Sequence, residues 1–258
     1  MDVLIFGGQS NMQGSTEGCP ADNEPVSNAW EFRWLTDEIV PLQHPTGEMF
    51  QAHLAQSNNG GGSLIPSFCR AYVKETGKEV VAIVAARGNT TIAEWMHGTF
   101  RYYYAAQKIR AGIEKAKQLG SVEHIYYIWL QGESDAIIET TEEEYVSRIE
   151  IYKNYLKRDF GIERFGIIRV GYFCSQSPWY CTCVNTAEYG KKCDETIMQA
   201  QETIVQKDSD FLMLTRICAE LSTKPEFITP EVPGHYNNRA MEIIGTEAGI
   251  ALVKQIKR

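Results

Sequence analysis

A serine hydroxyl becomes a useful nucleophile only when a base takes its proton and a set of donors receives the negative charge that attack creates. The run Phe6-Gly7-Gly8-Gln9-Ser10-Asn11-Met12 puts a serine directly after an apolar stretch, where a strand would hand over to a loop. Far along the chain, Glu231-Val232-Pro233-Gly234-His235-Tyr236-Asn237 offers a histidine in a loop just ahead of the last helical stretch. Together, Ser10 and His235 could run acyl transfer, with the imidazole first taking and then returning a proton. Two more polar segments follow apolar runs. In Arg87-Gly88-Asn89-Thr90-Thr91-Ile92-Ala93-Glu94-Trp95, Gly88 permits close backbone approach and can aim an N–H into a site. The other is Gln131-Gly132-Glu133-Ser134-Asp135. His97 competes with His235 for the role of base, but the loop before the final helix suits His235 better.

These segments need a scaffold that brings them together. Apolar runs at Val3-Phe6, Val80-Ala85, Ile125-Leu130, Gly166-Tyr172 and Phe211-Leu214 predict five buried strands. Between them, Leu64 to Lys74, Tyr102 to Gln118, Glu142 to Lys157 and Thr196 to Gln206 carry helical spacing, and Asn238 to Ile256 closes the chain. Continuous apolar strands alternating with helices predict a parallel sheet covered on both faces, a three-layer α/β/α sandwich. In such sheets ligands bind beyond the carboxyl ends of the strands, which is where all four polar segments fall. The expectation is a single domain over 1–258, with loop insertions at about 15–62 and 173–195.

Composition narrows the function further. A chain of 258 residues with 43% apolar residues can bury a large core, and its formal charge of -8 disfavours nucleic acid or an anionic membrane as partner. No apolar run approaches the ~20 residues of a membrane span. Met1-Asp2 leads straight into the first strand without a signal peptide, and seven cysteines do not pair evenly. A cytoplasmic setting with reduced thiols is therefore expected, or a secreted one where a leader has been removed. Cys174, Cys181, Cys183 and Cys193 cluster in the later insertion but lack the paired C-x2-C spacing of structural zinc sites, so no metal or other cofactor is expected. Neither G-x4-G-K-[ST] nor G-x-G-x-x-G occurs, and Met12 breaks the G-x-S-x-G elbow. Trp95, Trp129 and Trp179 read more simply as packing residues than as sugar platforms.

The motifs together resemble the SGNH hydrolase superfamily, in particular its carbohydrate esterase family 6 and sialate O-acetylesterase-like group. Gly8-Gln9-Ser10-Asn11-Met12 matches the nucleophile block, Gly88 to Trp95 the family's Gly-Gly-Thr-Ser-Ile-x-x-Trp block, and Trp129 to Asp135 its Gln-Gly-Glu block, with His235 in the last one. The resemblance implies an SGNH, flavodoxin-like fold and a cofactor-free esterase acting on a small acetylated carbohydrate such as acetylxylan or an O-acetylated sialic acid. It also implies Ser10 as nucleophile and His235 as base, with an oxyanion hole made from the Ser10 and Gly88 N–H groups and the Gln131 side chain. Gln9, Asn89 and Glu133 would line the substrate, with Asn89 standing where the family usually has a second glycine. The family often places Asp three residues before the catalytic His, where this chain has Val232. Glu231 is then the favoured orienting acid, Glu133 its rival, and a Ser-His dyad a third arrangement. Two other classes stay open at this level: a carbohydrate-binding relative that has lost catalysis, and a zinc-stabilised interaction protein built on the cysteine insertion.

Overall fold

The apolar run after Met1 forms β1 (Asp2–Gly8), every residue of which is buried. A single helical turn, α1 (Ser10–Gln13), leaves its end, and after it come β2 (Ala29–Arg33) and β3 (Glu38–Pro41). The chain continues through α2 (Ile65–Thr76), β4 (Val80–Ala86), α3 (Phe100–Leu119), β5 (His124–Leu130), α4 (Glu133–Ile137) and α5 (Glu142–Phe160). It ends with β6 (Arg164–Ile168), α6 (Ala187–Lys207), β7 (Phe211–Thr215), α7 (Ile217–Leu221) and α8 (Asn238–Ile256). The computed structural model describes residues 1–14, 21–48, 61–176, 186–230 and 234–257.

The strands make one sheet in the order β3-β2-β4-β1-β5-β6-β7, parallel throughout except for β3 against β2. The sheet thus has seven strands where five were expected. The two extra strands come from the first insertion, where short, partly polar segments at the sheet edge carry no continuous apolar signal. The fourth expected strand also moves, from Gly166–Tyr172 to Arg164–Ile168, because pairing with β7 shifts register at Ile167/Ile168 and the apolar residues beyond it pack without pairing. Helix α6 begins at Ala187 inside the second insertion, with the Thr186 side chain accepting from the Tyr189 N–H as its cap.

Helices α2 and α8 pack together on one face of the sheet, where Phe68 meets Phe6 and Tyr72 meets Tyr126. Their approach depends on Gly245, since a Cβ there would stand 2.2 Å from the Leu64 carbonyl oxygen. The opposite face carries an aromatic core in which Tyr127, Trp129 and Phe165 of the strands meet Tyr152 of α5, and Trp95 meets Trp129 edge-on at 5.7 Å. Alternate residues of β5 serve the two faces, as the period-2 geometry of a strand requires. Trp95 and Trp129 are both fully buried packing residues, and Trp179 lies outside the described residues.

The topology fixes where a site can form. From β1 the chain reaches β4 on one side and then β5 on the other, so the strand order reverses around β1. Gly8 pairs level with both Ala86 and Leu130, which puts the ends of β1, β4 and β5 at one rim. Helices on both faces diverge at such a reversal and leave a crevice. At Gly8 the backbone turns out with φ +140, and a Cβ there would lie 2.0 Å from the Leu130 carbonyl oxygen.

Candidate active site

Ser10 opens α1 directly beyond β1, and its Oγ lies 2.8 Å from His235 Nε2. Both residues are 8% exposed, so the pair is mostly shielded yet reachable. The loop that presents His235 is held from several sides. The His235 carbonyl accepts from the Thr229 N–H, Tyr236 bridges to Ile228, and the Tyr236 hydroxyl donates to the Cys218 carbonyl. Asn237 then caps α8, accepting from the Arg239 and Ala240 N–H groups. The imidazole edge also meets the Phe173 ring at 5.4 Å, and Gly234, with φ +84, passes so near this ring that a Cβ would be 2.6 Å from it.

Asn11, the residue after Ser10, ties this loop to the third motif. Its Nδ2 donates to Glu133 Oε1 at 2.8 Å and to the Gly234 carbonyl at 3.3 Å, while its Oδ1 accepts from the Tyr236 N–H at 3.3 Å. Asn11 therefore holds the peptide groups on both sides of His235. Glu133 is 2% exposed, and burial pushes its carboxyl above the usual range while the Asn11 hydrogen bond opposes that rise. Glu133 thus reaches the histidine loop through Asn11 and makes no hydrogen bond to the imidazole. Glu231 lies outside the described residues.

The donors expected for an oxyanion hole are placed differently from expectation. Gly88 does sit against Ser10, since a Cβ on it would be 3.3 Å from Ser10 Cβ. Its N–H, however, donates to Gln13 Oε1 at 2.8 Å. Gln131 is fully buried, and its Nε2 faces three acceptors: Asp135 Oδ2 at 2.5 Å, the Thr90 carbonyl at 2.9 Å and Gln9 Oε1 at 3.2 Å. An amide nitrogen carries two hydrogens, so this side chain is committed to the protein rather than to a ligand.

Two of the expected substrate contacts are likewise interior groups. Gln9 is 2% exposed, and its Oε1 gathers the Gln131 side chain and the Gly132 and Ser134 N–H groups. Glu133 lies beneath Asn11. Asn89 is the exposed one, and it stands next to Gly88 with φ 57, a left-handed conformation that asparagine tolerates better than most residues. Asp135 is a frame residue: its Oδ2 accepts from the Ile92 N–H and its Oδ1 from the Thr140 hydroxyl, linking the second and third motifs. Its burial raises the carboxyl above its ordinary range against the pull of these hydrogen bonds. His97 stacks on Tyr155 at 4.4 Å, on the α5 side of the molecule.

Sequence reasoning passed over Gln13, Asn11 and Phe173. For Asn11 the signal lay in the motif itself; Gln13 and Phe173 acquire meaning only through partners 75 and 62 positions away. Cys174 and Cys193 are buried, while Cys181 and Cys183 lie outside the described residues. Among the described residues, a group with metal-ligand spacing occurs at Asp2, Glu123 and His124, at the opposite end of the sheet. There the Lys78 ammonium already serves as the cation, 2.8 Å from Glu123 and 3.5 Å from Asp2.

With Ser10 and His235 in contact beyond the central strand of a mostly parallel, flavodoxin-like sheet, the chain has the SGNH hydrolase fold. Within it, the chain belongs to the family described as carbohydrate esterase, sialic acid-specific acetylesterase, which its sequence matches over residues 1–215. It is accordingly a carboxylic ester hydrolase that acts on acetylated sugars. Solved structures share the fold. A protein from Arabidopsis thaliana is 15% identical, with 98% of each chain covered and a TM-score of 0.67. NanS is 16% identical over 100% of this chain and 97% of its own, with a TM-score of 0.66. A carbohydrate acetylesterase from Xanthomonas citri is 14% identical over 97% of this chain and 55% of its own, with a TM-score of 0.50. At such identities the likeness is one of fold. No curated protein sequence matches the chain.

Proposed function

We propose that this protein removes O-acetyl groups from a sugar by a serine acyl-enzyme mechanism, with Ser10 as nucleophile and His235 as its general base. The observation that carries the reading is the 2.8 Å contact between Ser10 Oγ and His235 Nε2 at the reversal of strand order. His235 takes the Ser10 proton as Oγ attacks the acetyl carbonyl, and the Ser10 and Gly88 N–H groups receive the oxyanion. The imidazolium then protonates the departing sugar oxygen. Water repeats the sequence on the acetyl-serine and releases acetate. Glu231 is the acid we assign to orient the imidazole, since Glu133 is engaged by Asn11. Among sugars, an O-acetylated sialic acid is the substrate the family match favours. Acetylated xylan, the substrate of carbohydrate esterase family 6 that the motifs also resemble, is the comparison to run beside it.

The test is aryl acetate hydrolysis by the wild type, Ser10→Ala, His235→Ala and the double variant, with acetate release from both acetylated sugars followed in parallel. Each single substitution should lower kcat by on the order of 10⁴ or more, and the double variant should be no worse, because the two side chains act as a unit. Retained turnover in Ser10→Ala would sink the assignment of the nucleophile. Glu231→Gln should lower kcat far more than Glu133→Gln, and the reverse order would return the role to Glu133.

A further inference from the structure

Arginine side chains in this protein are generally answered by an acid. Arg33 pairs with Glu31, Arg169 and Arg216 with Glu202, Arg70 with Glu242, and Arg158 with Asp159. Arg87 differs. It is half-buried and among the described residues no acid pairs with its guanidinium, while its Nε, like those of Arg33 and Arg169, is buried without a hydrogen-bond partner. Arg239 also has no ion pair, but it is exposed, so water solvates it. A guanidinium that is partly withdrawn from water and left without an anion is costly to the folded chain, and such groups call for a functional account.

The position of Arg87 supplies one. Its N–H donates to the Gly8 carbonyl at 2.9 Å, and its neighbour Gly88 stands against Ser10. Arg87 therefore belongs to the rim that carries the nucleophile. A second guanidinium lies close by: Arg101, in the first turn of α3, is 3.7 Å from Glu94. Burial holds Arg101 below its ordinary value; Glu94 opposes this, and the positive charge of Arg87 adds to the lowering. Glu94 thus stands near Arg101, and Arg87 brings a further positive charge to the same surroundings in a protein of formal charge -8. Planar guanidinium groups are suited to carboxylate, which they bind through paired N–H···O bonds.

We propose that Arg87, backed by Arg101, is a carboxylate-binding subsite beside Ser10, and that the acetylated sugar is recognised through its own carboxylate. The inference rests on the acetylesterase reading of Ser10 and deepens it, since it assigns a residue that selects acidic over neutral sugars.

The experiment compares an O-acetylated sialic acid with its methyl ester, which has the same acetyl group but no charge. A second pair, O-acetylated galacturonic acid and its methyl ester, shows which acidic sugar the subsite prefers. In the wild type, kcat/KM should favour each free acid over its ester, by roughly tenfold to a hundredfold for the preferred sugar, the worth of a charge-assisted hydrogen bond. Arg87→Gln should bring that ratio close to one mainly by raising KM for the acid, and Arg87→Lys should restore part of it. A ratio unchanged in Arg87→Gln, or a wild type that does not distinguish acid from ester, would overturn the proposal. A second readout does not depend on turnover: binding of free N-acetylneuraminic acid to Ser10→Ala, measured by calorimetry with and without Arg87→Gln. Binding that weakens at least tenfold with the arginine removed, while the melting temperature holds, supports the subsite even where the hydrolytic reading fails. Equal binding in the two proteins refutes the subsite whatever the activity.

Discussion

Gln13 makes the sharpest test of how the oxyanion site works. Its Oε1 accepts the Gly88 N–H at 2.8 Å, and Gly88 stands directly against Ser10. If Gly88 is an oxyanion donor, an ester carbonyl must take over an N–H that a side-chain carbonyl already holds, so Gln13 competes with the substrate. The net worth of one such hydrogen bond is about 0.5–1.5 kcal/mol. Removing the competitor in Gln13→Ala should therefore raise kcat/KM for an aryl acetate by roughly twofold to tenfold, at about 1.4 kcal/mol per decade. Gln13→Glu should act in the opposite direction, because an ionised carboxylate holds an N–H about twice as strongly as a neutral amide oxygen does. The expected order of kcat/KM is Ala above Gln above Glu, measured in initial rates at pH 8 with active enzyme titrated by a serine-directed phosphonate. A tenfold loss in Gln13→Ala would refute the competition and show that Gln13 instead holds the Gly88 segment in its working position.

Asn11→Ala removes the contacts on both sides of His235 and leaves the buried Glu133 carboxyl without its partner, so kcat should fall roughly tenfold to a hundredfold with a smaller change in KM; an unchanged kcat would show that the histidine loop holds its place without Asn11. Glu31 gives a pH signature in stability: it is fully buried, and desolvation raises its carboxyl to about 7 even beside Arg33, while Glu48 holds the nearby Lys108 ammonium. Because the unfolded chain ionises this group at lower pH than the folded one, unfolding releases a proton between pH ~4.5 and ~7, and stability falls across that window by on the order of 3 kcal/mol. Glu31→Gln should abolish the fall, matching the wild type near pH 4 and exceeding it at pH 8 in urea titrations; parallel curves would count against a neutral Glu31. Gly245→Ala should cost roughly 1–3 kcal/mol by prising α8 from α2, where the added Cβ would meet Leu64 and Ser67, and an unchanged melting temperature would show that the interface yields freely.

The central strands were legible because parallel strands buried on both faces must be apolar along their whole length. Val3–Phe6 became Asp2–Gly8, and Phe211–Leu214 became Phe211–Thr215, with polar residues at the ends joining the hydrogen-bond ladder. The edge strands could not be read the same way, because β3 is exposed or half-buried and shows no core-facing run. Ser10 and His235 were visible as residue types at strand and helix boundaries. The commitments of the amides were not. Whether Gln131 faces a ligand or the interior depends on Thr90, Gln9 and Asp135, and no local pattern records that three acceptors converge on it.

That convergence explains why so few of the motif residues touch the crevice beside Ser10. Gln9, Gln131 and Asp135 are each nearly or wholly buried, and together they join the loops after β1, β4 and β5 into one hydrogen-bonded frame. Burying so many polar groups is tolerable only when each is satisfied, and a satisfied network permits one arrangement of the three loops. Ser10, Gly88 and the Asn11 clamp on His235 are set on that frame, and the proposed acyl transfer would require their relative placement to hold to within about 0.5 Å. The Arg87 and Asn89 side chains lie beside the frame without belonging to it, one lacking an anion among the described residues and the other exposed. If the proposed subsite holds, substitution at these two positions should retune which sugar is accepted while the Ser10–His235 geometry stays in place, whereas a change at Gln9 or Gln131 should disturb that geometry first.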